Sequence, residues 1–249
     1  MTADLVMDIG AHVGNDSAHY LSEGFRVVGV EANPDLCAKL RNRFSSEIRS
    51  GKFELVEAAI GERAGELDFW VNGKDSQWSS VIQDVGERGG SSHRIRVRAV
   101  TFSELTRSFG VPYYAKIDIE GADVYCLRNL PVAGTPKYLS VEANELEYLF
   151  LLRSAGYDSF KCIDQMSHND RRIPRFTRLR RTMGKVERRM HQMRFPVGSS
   201  GPMSHETLGR WQTLEQVAYE WLHHHFGIQR RTHLYCRSWL DFHATTAPS

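Results

Sequence analysis

The chain has no G-x-G-x-x-G, no C-x-x-C and no internal repeat. Its four cysteines, Cys37, Cys126, Cys162 and Cys236, are scattered through 249 residues, which argues against both a zinc site and a disulfide framework. A reducing, cytoplasmic setting follows as the expectation. No apolar run approaches the roughly 18–20 residues of a membrane span. Met1-Thr2-Ala3-Asp4 leads at once into an apolar strand, so no signal peptide is expected. Net charge is also small, at +2, with 41% hydrophobic and 25% charged residues. These are the proportions of an ordinary globular protein long enough to bury a full core. We therefore expect a single domain over residues 1–249, with an insertion at 165–232.

The most informative segment is Asp8-Ile9-Gly10-Ala11-His12-Val13-Gly14. Leu5-Val6-Met7 before it suits a buried strand, and Asn15-Asp16-Ser17 after it starts a helix. About twenty residues on, a second apolar run, Val27-Val28-Gly29-Val30, ends in Glu31. Strand, glycine turn, helix, strand and acid form a nucleoside-binding unit, in which glycines admit the ligand to the backbone and the acid takes the ribose hydroxyls. The spacing departs from a pyrophosphate site. Asp8 would repel a phosphate but attract the ammonium of a methionine-like group. S-adenosylmethionine carries that ammonium, a ribose and an adenine, and no phosphate. The turn therefore reads as a methyl-donor site, with NAD or a purely structural turn as alternatives.

Strands and helices alternate through the first two-thirds of the chain. The pattern predicts strands near 4–8, 26–31, 53–56, 67–71, 95–100, 113–119, 137–142 and 159–163, and a last strand at 234–242. Helices are expected near 15–23, 34–49, 101–109, 145–155 and 212–225, and a Gly/Ser/Asp-rich loop at 73–92. Such alternation implies an α/β fold with a mainly parallel sheet. The insertion breaks the rhythm. Residues 165–200 carry ten Lys/Arg against Asp170 and Glu187, a basic block suited to an anionic partner or to a solvated helix, and the insertion could close as a lid. His223–His225 are consecutive on a helix, point different ways, and read as structural or exposed.

Ligands of open α/β sheets bind beyond the carboxyl ends of the strands. Asp8, Glu31, Glu57, Asp118, Glu120, Glu142 and Asn144 fall there. Lys116 shares a strand face with Asp118, and a plain ion pair would explain both residues. The Asp8–Gly14 turn, Glu31, Trp78-Ser79-Ser80-Val81, Val97–Leu105 and above all Lys116-Ile117-Asp118-Ile119-Glu120-Gly121-Ala122-Asp123 resemble the FkbM family of S-adenosylmethionine-dependent methyltransferases. The similarity covers about residues 4–164, and the insertion matches only loosely, at 198–202 and Trp211.

The resemblance implies a Rossmann-like class I methyltransferase fold. Its sheet would have seven strands, mainly parallel, with a terminal antiparallel hairpin and the basic helical insertion before the last strand. It also implies O-methylation of a sugar, glycan or natural-product hydroxyl. Carried over, Asp8, Gly10, Ala11, His12, Gly14 and Ser17 would line the methionine end of the donor. Glu31, Ala32 and Asn33 would hold the ribose, Glu57 and Ala58 would flank the adenine, and Asp118 would sit by the sulfonium. Deprotonating a hydroxyl calls for a nearby base, for which Asp118, Glu120, Glu142 and His168 are the candidates. A divalent cation bridging Asp118 and Glu142 is conceivable, but no metal-ligand spacing demands one, and no metal residue is assigned. The expected partner is a small-molecule or glycan acceptor, with an anionic one suited to the basic block. RNA methylation through residues 165–200 is the second reading, and a non-catalytic binding protein on the same fold is the third.

Overall fold

The computed structural model describes residues 2–165, 169–170, 201–207, 209–226 and 239–246. They fall into two compact units, Met1–Leu139 and Ser140–Ser249. The expected α/β, mainly parallel, Rossmann-like architecture is present. No helix among the described residues is long and apolar enough to cross a membrane.

The first unit begins with β1 (Thr2–Ile9), α1 (Asn15–Ser22), β2 (Arg26–Glu31), α2 (Pro34–Arg43), α3 (Ser45–Arg49) and β3 (Phe53–Glu57). It continues through β4 (Ala59–Ile60), β5 (Gly65–Asn72), α4 (Gln83–Gly86), β6 (Ser92–Val100), α5 (Phe102–Phe109), β7 (Pro112–Ile117) and α6 (Asp123–Ala133). Four strands lie in the order β7-β1-β2-β3, all parallel. Leu5, Val6, Met7 and Ile9 of β1 are fully buried, as expected of a parallel strand covered on both faces. The remaining strands form a separate sheet, β4-β6-β5, in which β5 and β6 pair antiparallel from Gly65↔Ala99 to Asn72↔Ser92. Thr101 begins α5 with a full capping box to Glu104.

Besides the short elements β4, α4 and the two-residue strand Asn169–Asp170, which the pattern does not show, three elements differ from it. The expected helix at 34–49 is broken at Phe44, whose backbone leaves the helical region (φ −106°, ψ 26°). Its ring packs on Phe53 at 4.5 Å and fills the space over Gly14, where a Cβ would come within 2.4 Å of it. Helix α6 was not anticipated. It carries Pro131 in its last turn yet buries Cys126, Leu127 and Leu130. The last strand is described over Leu240–Thr245 and so runs past its expected end at 242, while residues 234–238 of the expected strand lie outside the described residues. It pairs antiparallel with six residues of β9, so partner length rather than local hydropathy sets its end.

The second unit contains most of β8 (Tyr138–Glu142), then α7 (Glu147–Ser154), β9 (Ser159–Asp164), β10 (Asn169–Asp170), the helix Leu214–Phe226 and β11 (Leu240–Thr245). Its strand order is β10-β9-β11-β8. Strands β9 and β11 make the expected antiparallel hairpin. The buried Lys161 of β9 fastens the segment after the basic block. Its Nζ donates to the carbonyls of Ser204 (3.1 Å) and Thr207 (3.0 Å) and to Thr207 Oγ1 (3.2 Å), and lies 4.4 Å from the Trp211 ring centroid. His243 Nδ1 meets Ser204 Oγ at 2.8 Å, and Trp221 Nε1 donates to the Ala143 carbonyl at 2.6 Å.

Removing the Lys161 ammonium would take its donor from the buried Thr207 carbonyl and leave the Ser204 carbonyl with the Thr207 hydroxyl. Lys161→Met should therefore lower unfolding free energy by about 2–4 kcal/mol. Denaturant melts would show this, and an unchanged midpoint would contradict it.

Candidate active site

The glycine turn sits between β1 and α1, where the backbone must reverse in little space. Gly10 and Gly14 adopt φ +86° and +81°. A Cβ on Gly10 would stand 1.9 Å from the Asp118 carbonyl oxygen, so only glycine fits. The N–H groups of Gly10 and Ala11 both donate to the Val30 carbonyl at 3.0 Å, and Gly14 N–H donates to the Ala11 carbonyl at 2.7 Å. These bonds hold the turn over the ends of β1 and β2. His12 lies at its crest with φ +50°, a conformation that costs a residue with a Cβ on the order of 1 kcal/mol.

Beneath the turn is a charge cluster centred on Lys116. The register of β1 and β7 sets Asp8 opposite Lys116. The Lys116 Nζ lies 3.3 Å from Asp8 Oδ1, 3.3 Å from Asp16 Oδ2 and 3.5 Å from Asp118 Oδ2, and donates to the Gly10 carbonyl at 3.2 Å. Ser17 Oγ donates to the other Asp8 oxygen at 2.6 Å. Asp8 and Ser17 are 0% exposed, so they support the turn from below rather than line an open surface. The Asp118 side chain is 24% exposed and is the carboxylate through which the cluster reaches solvent. Burial drives the Asp8 carboxyl up, against the pull of Lys116. The ammonium is itself held well above its ordinary range, because Asp8, Asp118 and Asp16 together outweigh its desolvation.

Glu31 joins β2 to the turn. Its Oε2 accepts from His12 N–H at 2.9 Å, and its Oε1 accepts from Ala32 N–H at 2.9 Å and Asn33 N–H at 2.8 Å. Burial nevertheless pushes its carboxyl up to about 7. Asn33 also caps α2 by accepting from Asp35 N–H at 3.0 Å. Ala58 is buried and donates to the Glu31 carbonyl at 3.0 Å, while Glu57 is exposed and paired with Arg41.

The acids after β7 occupy a second strained turn. Glu120 and Gly121 have φ +52° and +88°. Buried Asp123 fastens this turn by accepting from Ile119 N–H and Gly121 N–H, both at 3.1 Å. Burial raises its carboxyl to about 6. The Glu120 carboxylate lies 3.5 Å from Arg88, and its carbonyl accepts from Ser80 Oγ at 2.9 Å.

The first unit thus brings together Asp8, Gly10, Ala11, His12, Gly14, Ser17, Glu31, Ala32, Asn33, Ala58, Asp118 and Glu120. Glu142 ends β8 in the second unit, where its carboxylate accepts from Asn144 at 2.8 Å. His168 lies outside the described residues, as does nearly all of the basic block. Sequence reasoning missed Asp16, Ser76, Ser80, Arg88 and Asp123. Asp123 had a local signal, closing the Lys116–Asp123 segment that resembles the family. Ser80 lay in a segment that resembles the family but was given no role, and Ser76 had no signal, because its partner is 64 residues away.

A glycine turn, a bridging acid after β2 and a Lys-Ile-Asp-Ile-Glu-Gly turn after β7 occur together on one strand edge. The family model described as "Methyltransferase FkbM domain" matches residues 8–180, which include all three features. The chain belongs to the FkbM methyltransferase family. Members of this family take the methyl group from S-adenosylmethionine. Among curated proteins no match was found. Among solved structures, the FkbM chain is similar to precorrin-6Y C5,15-methyltransferase from Geobacter metallireducens GS-15, with a TM-score of 0.37 and 15% identity over 66% of this chain and 69% of that one. It is also similar to the [4+2]-cyclase SpnF, with a TM-score of 0.42 and 12% identity over 99% of this chain and 76% of that one. A third similar structure is phosphoethanolamine N-methyltransferase 2 from Haemonchus contortus in complex with S-adenosyl-L-methionine. Its TM-score is 0.42, with 12% identity over 100% of this chain and 49% of that one.

Lys116 is the test of this arrangement. Lys116→Met removes the one ammonium shared by three carboxylates and should cost about 3–5 kcal/mol of stability at pH 7. Acid should restore part of the loss by protonating the carboxylates. Denaturant unfolding at pH 7 and pH 5 measures both effects. Equal losses at the two pH values would count against the cluster.

Proposed function

We propose that the protein methylates a hydroxyl group of a small acceptor, a sugar, glycan or natural product, using S-adenosylmethionine. The observation that carries this reading is the surplus of carboxylate around the glycine turn. Asp8, Asp16 and Asp118 share a single ammonium, and Glu31 stands at the other side of the turn. A field of that sign suits a cationic ligand and opposes a pyrophosphate. When bound, the donor supplies a methyl group made electrophilic by its sulfonium.

The residues fit such a ligand. Gly10, Ala11 and Gly14 offer backbone that no Cβ could replace at Gly10. A carboxylate has about four acceptor positions, and the three amides on Glu31 leave room for a ribose hydroxyl. Ala32, Asn33, Glu57 and Ala58 continue along the strand ends toward the adenine side. Asp118 is the residue we assign to take the hydroxyl proton of the acceptor, with Glu120 beside it in the chain. The Lys116 ammonium stands 3.5 Å from the Asp118 carboxylate and fixes its place at the end of β7. Aligning donor and acceptor in a closed site would supply much of the remaining acceleration.

Calorimetry with S-adenosylmethionine and S-adenosylhomocysteine tests the donor; failure of the folded protein to bind either would overturn the reading. Because the Glu31 carboxyl sits near 7, its protonation at lower pH removes the acceptor of the ribose bond. The Kd for S-adenosylhomocysteine should rise about tenfold from pH 8 to pH 6. In Glu31→Gln that slope should flatten, and a slope that persists in the variant would assign it elsewhere. For Asp118→Asn, methyl transfer to hydroxylated acceptors should fall by about 100-fold or more. Its donor Kd should change far less, and unimpaired turnover would remove Asp118 from the role of base.

A further inference from the structure

Residues 73–91 join the paired ends of β5 and β6, a connection longer than a hairpin needs. The segment is firmly built. Buried Asn72 ties it shut, its Nδ2 donating to the carbonyls of Gly86 (2.8 Å) and Arg88 (2.7 Å) and its Oδ1 accepting from Lys74 and Asp75 N–H groups at 2.9 and 3.0 Å. Ser80 and Trp70 exchange both backbone bonds, at 2.9 and 3.1 Å. These contacts fix the loop's own shape and need nothing from the site.

The same loop nevertheless touches the site at two places. His12 Nε2 meets Ser76 Oγ at 2.8 Å, and Ser80 Oγ donates to the Glu120 carbonyl at 2.9 Å. Arg88 adds an ion pair with Glu120 at 3.5 Å. Ile82 and Val85 also approach Gly121, where a Cβ would lie 3.9 and 3.8 Å from their side chains. The loop therefore rests on both strained turns, the one that would carry the donor and the one that holds Asp118.

His12 connects the two sides. Its backbone N–H holds Glu31, the proposed ribose acid, while its ring holds Ser76. The residue does this at φ +50°, where glycine would be less strained. A glycine would keep the turn and the bond to Glu31 but could not reach Ser76. The side chain at this position thus serves the loop.

We propose that His12 is a positioning residue that couples the donor site to loop 73–91. Filling the donor site further restrains Glu31 and the His12 backbone, and the ring bond to Ser76 passes that restraint to the loop. The loop, already folded on its own contacts, is then held in place as the wall against which the acceptor is placed. This inference rests on the donor reading given above. It makes the loop, rather than the basic insertion, the first surface the acceptor meets, and it makes binding ordered, donor before acceptor.

Hydrogen exchange with and without S-adenosylhomocysteine tests it, because the probe needs no known acceptor. In the wild-type protein the probe should slow amide exchange about tenfold or more in both the turn peptide, residues 8–16, and the loop peptides, residues 73–91. In Ser76→Ala the turn should stay protected and the Kd should remain within about threefold, while loop protection is lost. Ser76→Thr keeps the hydroxyl and should restore it. Loop protection that survives in Ser76→Ala, or that never appears in a wild-type protein whose turn is protected, overturns the coupling. Protection at neither place, with no heat of binding, overturns the donor reading itself and the coupling with it.

Discussion

A single buried ammonium organises the ligand edge of this protein. Lys116 reaches Asp8 on β1, Asp16 on α1, Asp118 beyond its own strand and the Gly10 carbonyl in the turn between. Two stretches that lie 106 residues apart between Gly10 and Lys116 are thereby fixed to one atom. Burying a charge of this kind is expensive, and the attraction of the surrounding carboxylates offsets that expense only because the β1–β7 register delivers them within reach. The arithmetic is also unequal, one cation for three acids. The cluster stabilises the turn from below, and Asp118, its partly exposed acid, carries it to the surface.

Above that cluster, strain is placed where a ligand-binding edge can use it. His12 and Glu120 are the only residues other than glycine with positive φ among those described, and each crowns one of the two turns. Each turn is over-determined by its surroundings: Glu31 and Ser76 hold the first, and Asp123, Ser80 and Arg88 hold the second. Such residues persist in unfavourable backbone regions only when many bonds require it. Glu31 shows the same economy in electrostatic form. Burial raises its carboxyl to about 7 despite three amide donors, so the free site carries a carboxylate that a hydroxyl donor would stabilise further.

Local signals carried much of this. Glycines before a helix, an acid after the second strand and acids after β7 are spaced by the chain itself, and they fell where the pattern put them. The break at Phe44 was not legible, since it comes from a ring filling the space over Gly14, a contact made across the fold. Helix α6 was not expected; it keeps Pro131 inside its length, where one intrahelical bond is forgone, because the burial of Cys126, Leu127 and Leu130 holds it in place. Nor could a strand buried on both faces reveal which way Asp8 points. Alternation distinguishes inside from outside only when one face meets water, and β1 has no such face. The lysine–aspartate pair was anticipated as a plain ion pair, but its links to Asp16 and Gly10 depend on how α1 and the turn are set over β7.

The division of labour between turn and loop has a consequence for how such a fold acquires selectivity. The proposed donor edge is built from β1, β2 and β7 with backbone and buried charge, elements that cannot change without disturbing the core. Loop 73–91 is fixed by Asn72 within itself and meets the edge through side chains, chiefly Ser76, Ser80 and Arg88. A surface of that kind can be re-sculpted residue by residue while the edge stays intact. His12 is where the two meet, and its strained backbone is the cost of placing a ring that holds Ser76 of the loop on a turn whose amide holds Glu31.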